Sequence, residues 1–124
     1  MLLKAIWGVY HADGGIAGEL RYVFGKFRGT THCALCEITH SYVSEKRSMK
    51  KCRTNSPVPF HLVHLNEQSE GLHSITEGVT PCIVAETDKG FQVILYSDEL
   101  EGCNKKVELF QEKLDLALKI FATN

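Results

Sequence analysis

Gly78-Val79-Thr80-Pro81-Cys82-Ile83-Val84-Ala85-Glu86-Thr87-Asp88-Lys89-Gly90-Phe91-Gln92-Val93-Ile94-Leu95-Tyr96 holds two runs of strand-forming residues around one turn. Pro81 to Glu86 and Phe91 to Tyr96 are each long enough for a strand and rich in apolar residues. Between them, Gly90 stands where a short hairpin loop needs a left-handed residue. The stretch predicts an antiparallel hairpin. Downstream, Val107, Phe110, Leu114, Leu118 and Phe121 mark one stripe of a long amphipathic helix. Phe110, Leu114 and Phe121 are expected to lie buried against the sheet.

Upstream, Phe60 to Leu65 alternates apolar residues with His61 or His64 and predicts a short strand. An odd separation puts those two histidines on opposite faces of a strand, so they cannot chelate as a pair. Asn66 to His73 allows one or two helical turns. Leu2 to His11 is mostly apolar, as a strand covered on both faces would be. Asp13 can cap the helix marked by Ile16, Leu20, Val23, Phe24 and Phe27, which Gly29 closes. Thr30 to Pro59 is irregular, with a short helix carrying Leu35, Ile38 and Tyr42 on one face. A polar, basic stretch from Glu45 to Arg53 and the loop Thr54-Asn55-Ser56-Pro57 follow it.

A chain of 124 residues, 44% hydrophobic, suits one domain over 1–124 with a single core. Lys plus Arg (14) nearly balances Asp plus Glu (15), a formal charge of -1. No global field draws in nucleic acid or an anionic membrane, so either partner would need a local patch. This argues against nucleic acid as a partner. Met1-Leu2-Leu3-Lys4-Ala5-Ile6-Trp7 lacks a preceding basic region and a cleavage site, and reads as a strand rather than a signal peptide or membrane span. The expectation is a cytoplasmic protein whose five cysteines are reduced thiols or metal ligands.

The order strand, helix, insert, strand, short helix, strand hairpin, helix resembles the thioredoxin-like fold. That resemblance implies an α/β domain, a mixed four-stranded sheet with flanking helices, and an insert at 30–58. Gly78 to Val84 resembles the segment opening that fold's third strand, where a proline is typically cis. It implies a cis Thr80–Pro81 bond facing Asp13-Gly14-Gly15-Ile16. Redox members of the family carry a cysteine pair in the turn after the first strand, and this chain has none there. The family's catalysis therefore does not carry over residue by residue. Val9-Tyr10-His11-Ala12-Asp13 and Cys33-Ala34-Leu35-Cys36-Glu37-Ile38-Thr39 are also similar to a group of small uncharacterised bacterial proteins, which brings no mechanism with it.

The densest group of reactive residues is His32-Cys33-Ala34-Leu35-Cys36 with His40. On a helix beginning near Cys33, the residues Cys33, Cys36 and His40 stand at i, i+3 and i+7 on one face. Two thiolates and an imidazole suit zinc, with Cys52, His61 or His64 as a fourth ligand. The same pair can work as a redox dithiol, Cys33 attacking and Cys36 resolving. It can also be two small core residues, since free cysteine is often buried. Cys82 reads as an interior strand residue, and Cys103 as a surface or partly buried thiol. Asp13-Gly14-Gly15 lacks the spacing of a phosphate-binding loop, and N-capping explains it. The basic run from Lys46 to Arg53 has the charge to grip a phosphate-bearing partner, but with no aromatic residues to stack bases it reads as a solvated face. No motif supports a hydrolase. The sequence thus points to a protein that binds zinc through Cys33, Cys36 and His40. The alternatives are a thiol–disulfide oxidoreductase using Cys33 and Cys36 and a non-catalytic interaction domain.

Overall fold

The computed structural model describes residues 2–11, 34–41 and 44–122, with the backbone alone at 34, 36, 37, 40, 41, 44, 45 and 120–122. Among these residues the fold is mixed α/β, with helices on both faces of a four-stranded sheet. Its strands are β1 (Leu3–Val9), β4 (Phe60–Val63), β5 (Cys82–Thr87) and β6 (Gly90–Leu95), in the order β4-β1-β5-β6. β1 runs parallel to β4, pairing Ile6 with Phe60 and Val9 with Val63. It runs antiparallel to β5, pairing Val9 with Cys82 and Ile6 with Ala85. A parallel pair needs a long crossover, which the chain between Val9 and Phe60 provides.

The expected hairpin is β5–β6, with Thr87 opposite Gly90. Gly90 has φ +123°, a conformation that L side chains rarely adopt, and Thr87 Oγ1 both donates to the Gly90 carbonyl and accepts from Lys89 N–H. The Thr80–Pro81 peptide is cis, as the sequence reading anticipates. β1 is covered on both faces: Ile6 and Tyr10 join one core and Val9 the other.

The core around Ile6 is closed by α1 (Ala34–Thr39) and α5 (Val107–Ala122). Phe110 and Leu114 of α5 are buried, with the Phe110 ring 6.3 Å from that of Phe60. The side chain of Phe121 lies outside the described residues. The second core, around Val9, Cys82 and Val84, is covered by Leu72 of α3 (Glu70–Thr76), which Ser69 caps by accepting from Leu72 N–H. Two further helices are present: α2 (Arg47–Thr54), which buries Met49 and Cys52, and α4 (Ser97–Glu101), which buries Leu100.

The segment expected as an insert contributes to the core. Leu35, Ile38 and Thr39 of α1 are fully buried. Gly8 allows the close approach, because a Cβ there would stand 2.7 Å from Leu62 Cδ2 and 3.4 Å from Leu35 Cδ2. α1 ends earlier than the expected face with Tyr42 requires. His40–Ser41 (β2) instead pairs with Ser44–Glu45 (β3), and Lys46 N–H donates to the Thr39 carbonyl. Tyr42, the Asp13 cap, the Gly14-Gly15 turn and the helix over Ile16 to Phe27 lie outside the described residues. So does any approach of Pro81 to Asp13-Gly14-Gly15-Ile16. Among the described residues no helix is long and apolar enough to cross a membrane.

Candidate functional site

Parallel β1 and β4 end on the same edge of the sheet, the edge beyond which open α/β sheets hold their ligands. Tyr10 leaves β1 there, its N–H donating to the Val63 carbonyl. Its ring is buried, and its hydroxyl shares a hydrogen bond of 2.9 Å with Thr39 Oγ1. That bond ties the end of α1 to the end of β1. His11 is exposed, with Nδ1 2.9 Å from Thr80 Oγ1, beside Pro81.

From the β4 side, the His64 ring lies 5.0 Å from the Tyr10 ring. Glu67 Oε1 accepts from His64 N–H and lies 2.7 Å from His64 Nδ1. These bonds hold the Glu67 carboxyl below the usual glutamate range, the backbone bond most, then the ring bond. The pair closes the turn over Leu65–Glu67 as a capping box. His61 faces the other side of the sheet, its ring 4.3 Å from that of Trp7, as the strand register predicts. The spacing His64-x-x-Glu67 is a readable capping signal. Tyr10 and Thr39, 29 residues apart, carry no signal of their contact.

Cys33 lies outside the described residues, as do the side chains of Cys36 and His40. The backbone still bears on their proposed arrangement. α1 begins at Ala34, so the position of Cys36 falls in its first turn, as a helix starting near Cys33 requires. The helix ends at Thr39, and His40 opens β2 opposite Glu45. The helical i+7 argument therefore does not reach His40, because hairpin pairing takes over at that residue.

The three residues considered as a fourth ligand stand in different surroundings. Cys52 is buried on α2, its thiol pushed up by burial and then by the nearby Asp115 charge. His61 stacks on Trp7, and His64 is bonded to Glu67. Among the described residues no three His, Cys, Asp or Glu side chains are grouped to hold a metal ion.

The remaining cysteines are core residues. Cys82 packs with Val9 and Val84, and burial pushes its thiol up to about 12. Cys103 is fully buried in the turn ahead of α5, where its Sγ donates to the Glu99 carbonyl at 3.5 Å. The expectation of a surface or partly buried thiol fails there because the α4–α5 connection folds inward with Leu100. No protein-family model, curated protein or solved structure matches this chain.

Proposed function

We propose that this chain is a thioredoxin-like domain that works as a thiol–disulfide oxidoreductase, with Cys33 as the attacking and Cys36 as the resolving thiol. The fold reading is supported by the sheet order, in which the first strand lies between a parallel second and an antiparallel third. The β5–β6 hairpin followed by a long last helix agrees with it. The observation that carries the functional reading is the seating of α1. It starts one residue after Cys33 and contains Cys36, and the Thr39–Tyr10 hydroxyl bond and the buried Leu35 and Ile38 fix it against β1. A dithiol needs only two sulfurs within reach on a firm support. A zinc site needs four ligands, and His40, the third of the set read from the sequence, lies in β2 rather than on the helix that carries Cys36.

In the reaction, the Cys33 thiolate attacks one sulfur of a substrate disulfide and the other substrate sulfur leaves as a thiolate. The Cys36 thiolate then attacks Cys33 in the mixed disulfide, expelling the second substrate thiolate. Two electrons pass to the substrate, its two thiolates take up protons, and a Cys33–Cys36 disulfide remains for an external dithiol to reduce.

The test equilibrates purified protein in glutathione buffers and maps its disulfides by mass spectrometry. The expected result is a reversible Cys33–Cys36 disulfide with a midpoint within about -220 to -320 mV, and a trapped mixed disulfide in Cys36→Ser. One zinc per chain, lost on replacing Cys33, Cys36 or His40, with melting lowered by chelator, would establish the metal reading instead. Thiols that neither oxidise reversibly nor hold metal would leave the interaction domain.

A further inference from the structure

Seven of the chain's 14 basic residues fall in two short segments: Lys46, Arg47, Lys50, Lys51 and Arg53, and then Lys105 and Lys106. The first five belong to α2 and the residue before it, and the last two to the turn leading into α5. No acidic residue occurs between Lys46 and Asn66. The fold joins the two segments, because Lys46 Nζ donates to the Lys105 carbonyl at 2.6 Å.

The helical repeat sorts α2 into two faces. Met49 and Cys52 turn into the core, while Arg47, Lys50 and Lys51 share the opposite, exposed arc. Lys105 and Lys106 are exposed in the turn whose Lys105 carbonyl holds Lys46, the residue just before α2. Asn104 and Lys105 hold φ of 51° and 64°, left-handed values that a lysine rarely adopts, in the turn that presents these cations.

We infer that this surface docks, without regard to sequence, on the phosphate backbone of a double-stranded nucleic acid. The composition of the chain argues against such a partner for want of a global field, and the fold supplies the local patch. Charge complementarity carries the choice of occupant. Protein interfaces centre on aromatic and apolar anchors and are depleted in lysine, whereas five of these seven residues are lysines and the two apolar residues of α2 are buried. The same lack of exposed apolar groups provides no wedge for a membrane interface. With no aromatic residue on the exposed arc to stack bases, a single strand has nothing to hold beyond its phosphates. Lysine ammonium groups pair with phosphates as point charges, and a duplex presents those phosphates at the highest density.

The experiment measures fluorescence anisotropy of a labelled 20-base-pair DNA duplex with the full chain at several salt concentrations. The contacts are to phosphates alone, so any duplex sequence serves. A slope of log K against log salt near about -4 is expected, corresponding to four or five neutralised phosphates. Lys50→Gln with Lys51→Gln should weaken binding at least tenfold at low salt and reduce the slope by about 2, near 1 per lysine. Lys89→Gln, on the far hairpin, should change neither. Both variants alter exposed side chains, and circular dichroism melting checks their fold. No saturable duplex binding would overturn the inference. So would equal loss in the Lys89 variant, tighter binding to the matching single strand, or binding only to phosphatidylserine vesicles.

Discussion

Cys82 shows how one buried atom sets a pH limit. Its thiol is surrounded by Val9, Leu72 and Val84, and burial alone pushes it up to about 12. The unfolded chain returns that thiol to its ordinary value near 9.0. Above that pH the unfolded state sheds a proton that the native state keeps, so stability must fall as pH rises from about 9 towards 12. Urea midpoints between pH 8 and 10.5 should therefore fall more steeply for the natural chain than for Cys82→Ala, even if the variant starts lower. Parallel curves would mean that water reaches the thiol. Glu67 has the opposite sign: bonded to His64, it stabilises above the usual carboxylate range and loses that contribution as pH falls through its lowered value. One fact at this scale was readable in the sequence, the opposed faces of His61 and His64, while the capping bond of Glu67 to His64 was missed. The Tyr10–Thr39 bond was not readable, because it depends on where α1 docks.

Helix α5 gives the element-scale test. Phe110 is fully buried between α5 and the sheet, near Phe60, and its loss leaves a hole that rigid strands cannot fill. Phe110→Ala should cost about 3–5 kcal/mol by urea unfolding, and a value near zero would make the helix peripheral. This helix and the β5–β6 hairpin were legible because their signals are local: an apolar stripe, and a glycine at the turn. α2 was not, since Met49 and Cys52 are the only apolar residues among its eight and form no stripe. Its basic face was legible as solvated, but its neighbourhood with Lys105 and Lys106 arises only when α5 packs. The end of α1 was missed for a related reason. Leu35 and Ile38 announce the helix, while the β2–β3 pairing that stops it leaves no comparable mark. The candidate dithiol was visible as a spacing, and the seating of its helix against Tyr10 was not.

For the whole molecule, the sheet order predicts how it opens. β1 and β5 occupy the two inner positions, and Ile6, Val9, Ile83, Val84 and Ala85 are buried from both faces. β6 is an edge strand with Gly90 and Gln92 exposed, and α3, which packs against one face of it while α5 covers the other, has only seven residues. An inner strand cannot expose its amides without breaking two ladders, whereas the edge can detach by breaking one. Native-state hydrogen exchange should then find the amides of Ile83 to Ala85 opening only at the global unfolding free energy. The paired amides of β6 should open at a lower free energy, together with those of α3, and should respond less steeply to denaturant. Replacing Leu72, which joins α3 to the Val9 core, by Ala should lower the edge values further than the inner ones. Equal protection across all four strands would show that the sheet unfolds as one unit, with α3 adding nothing separate to its edge.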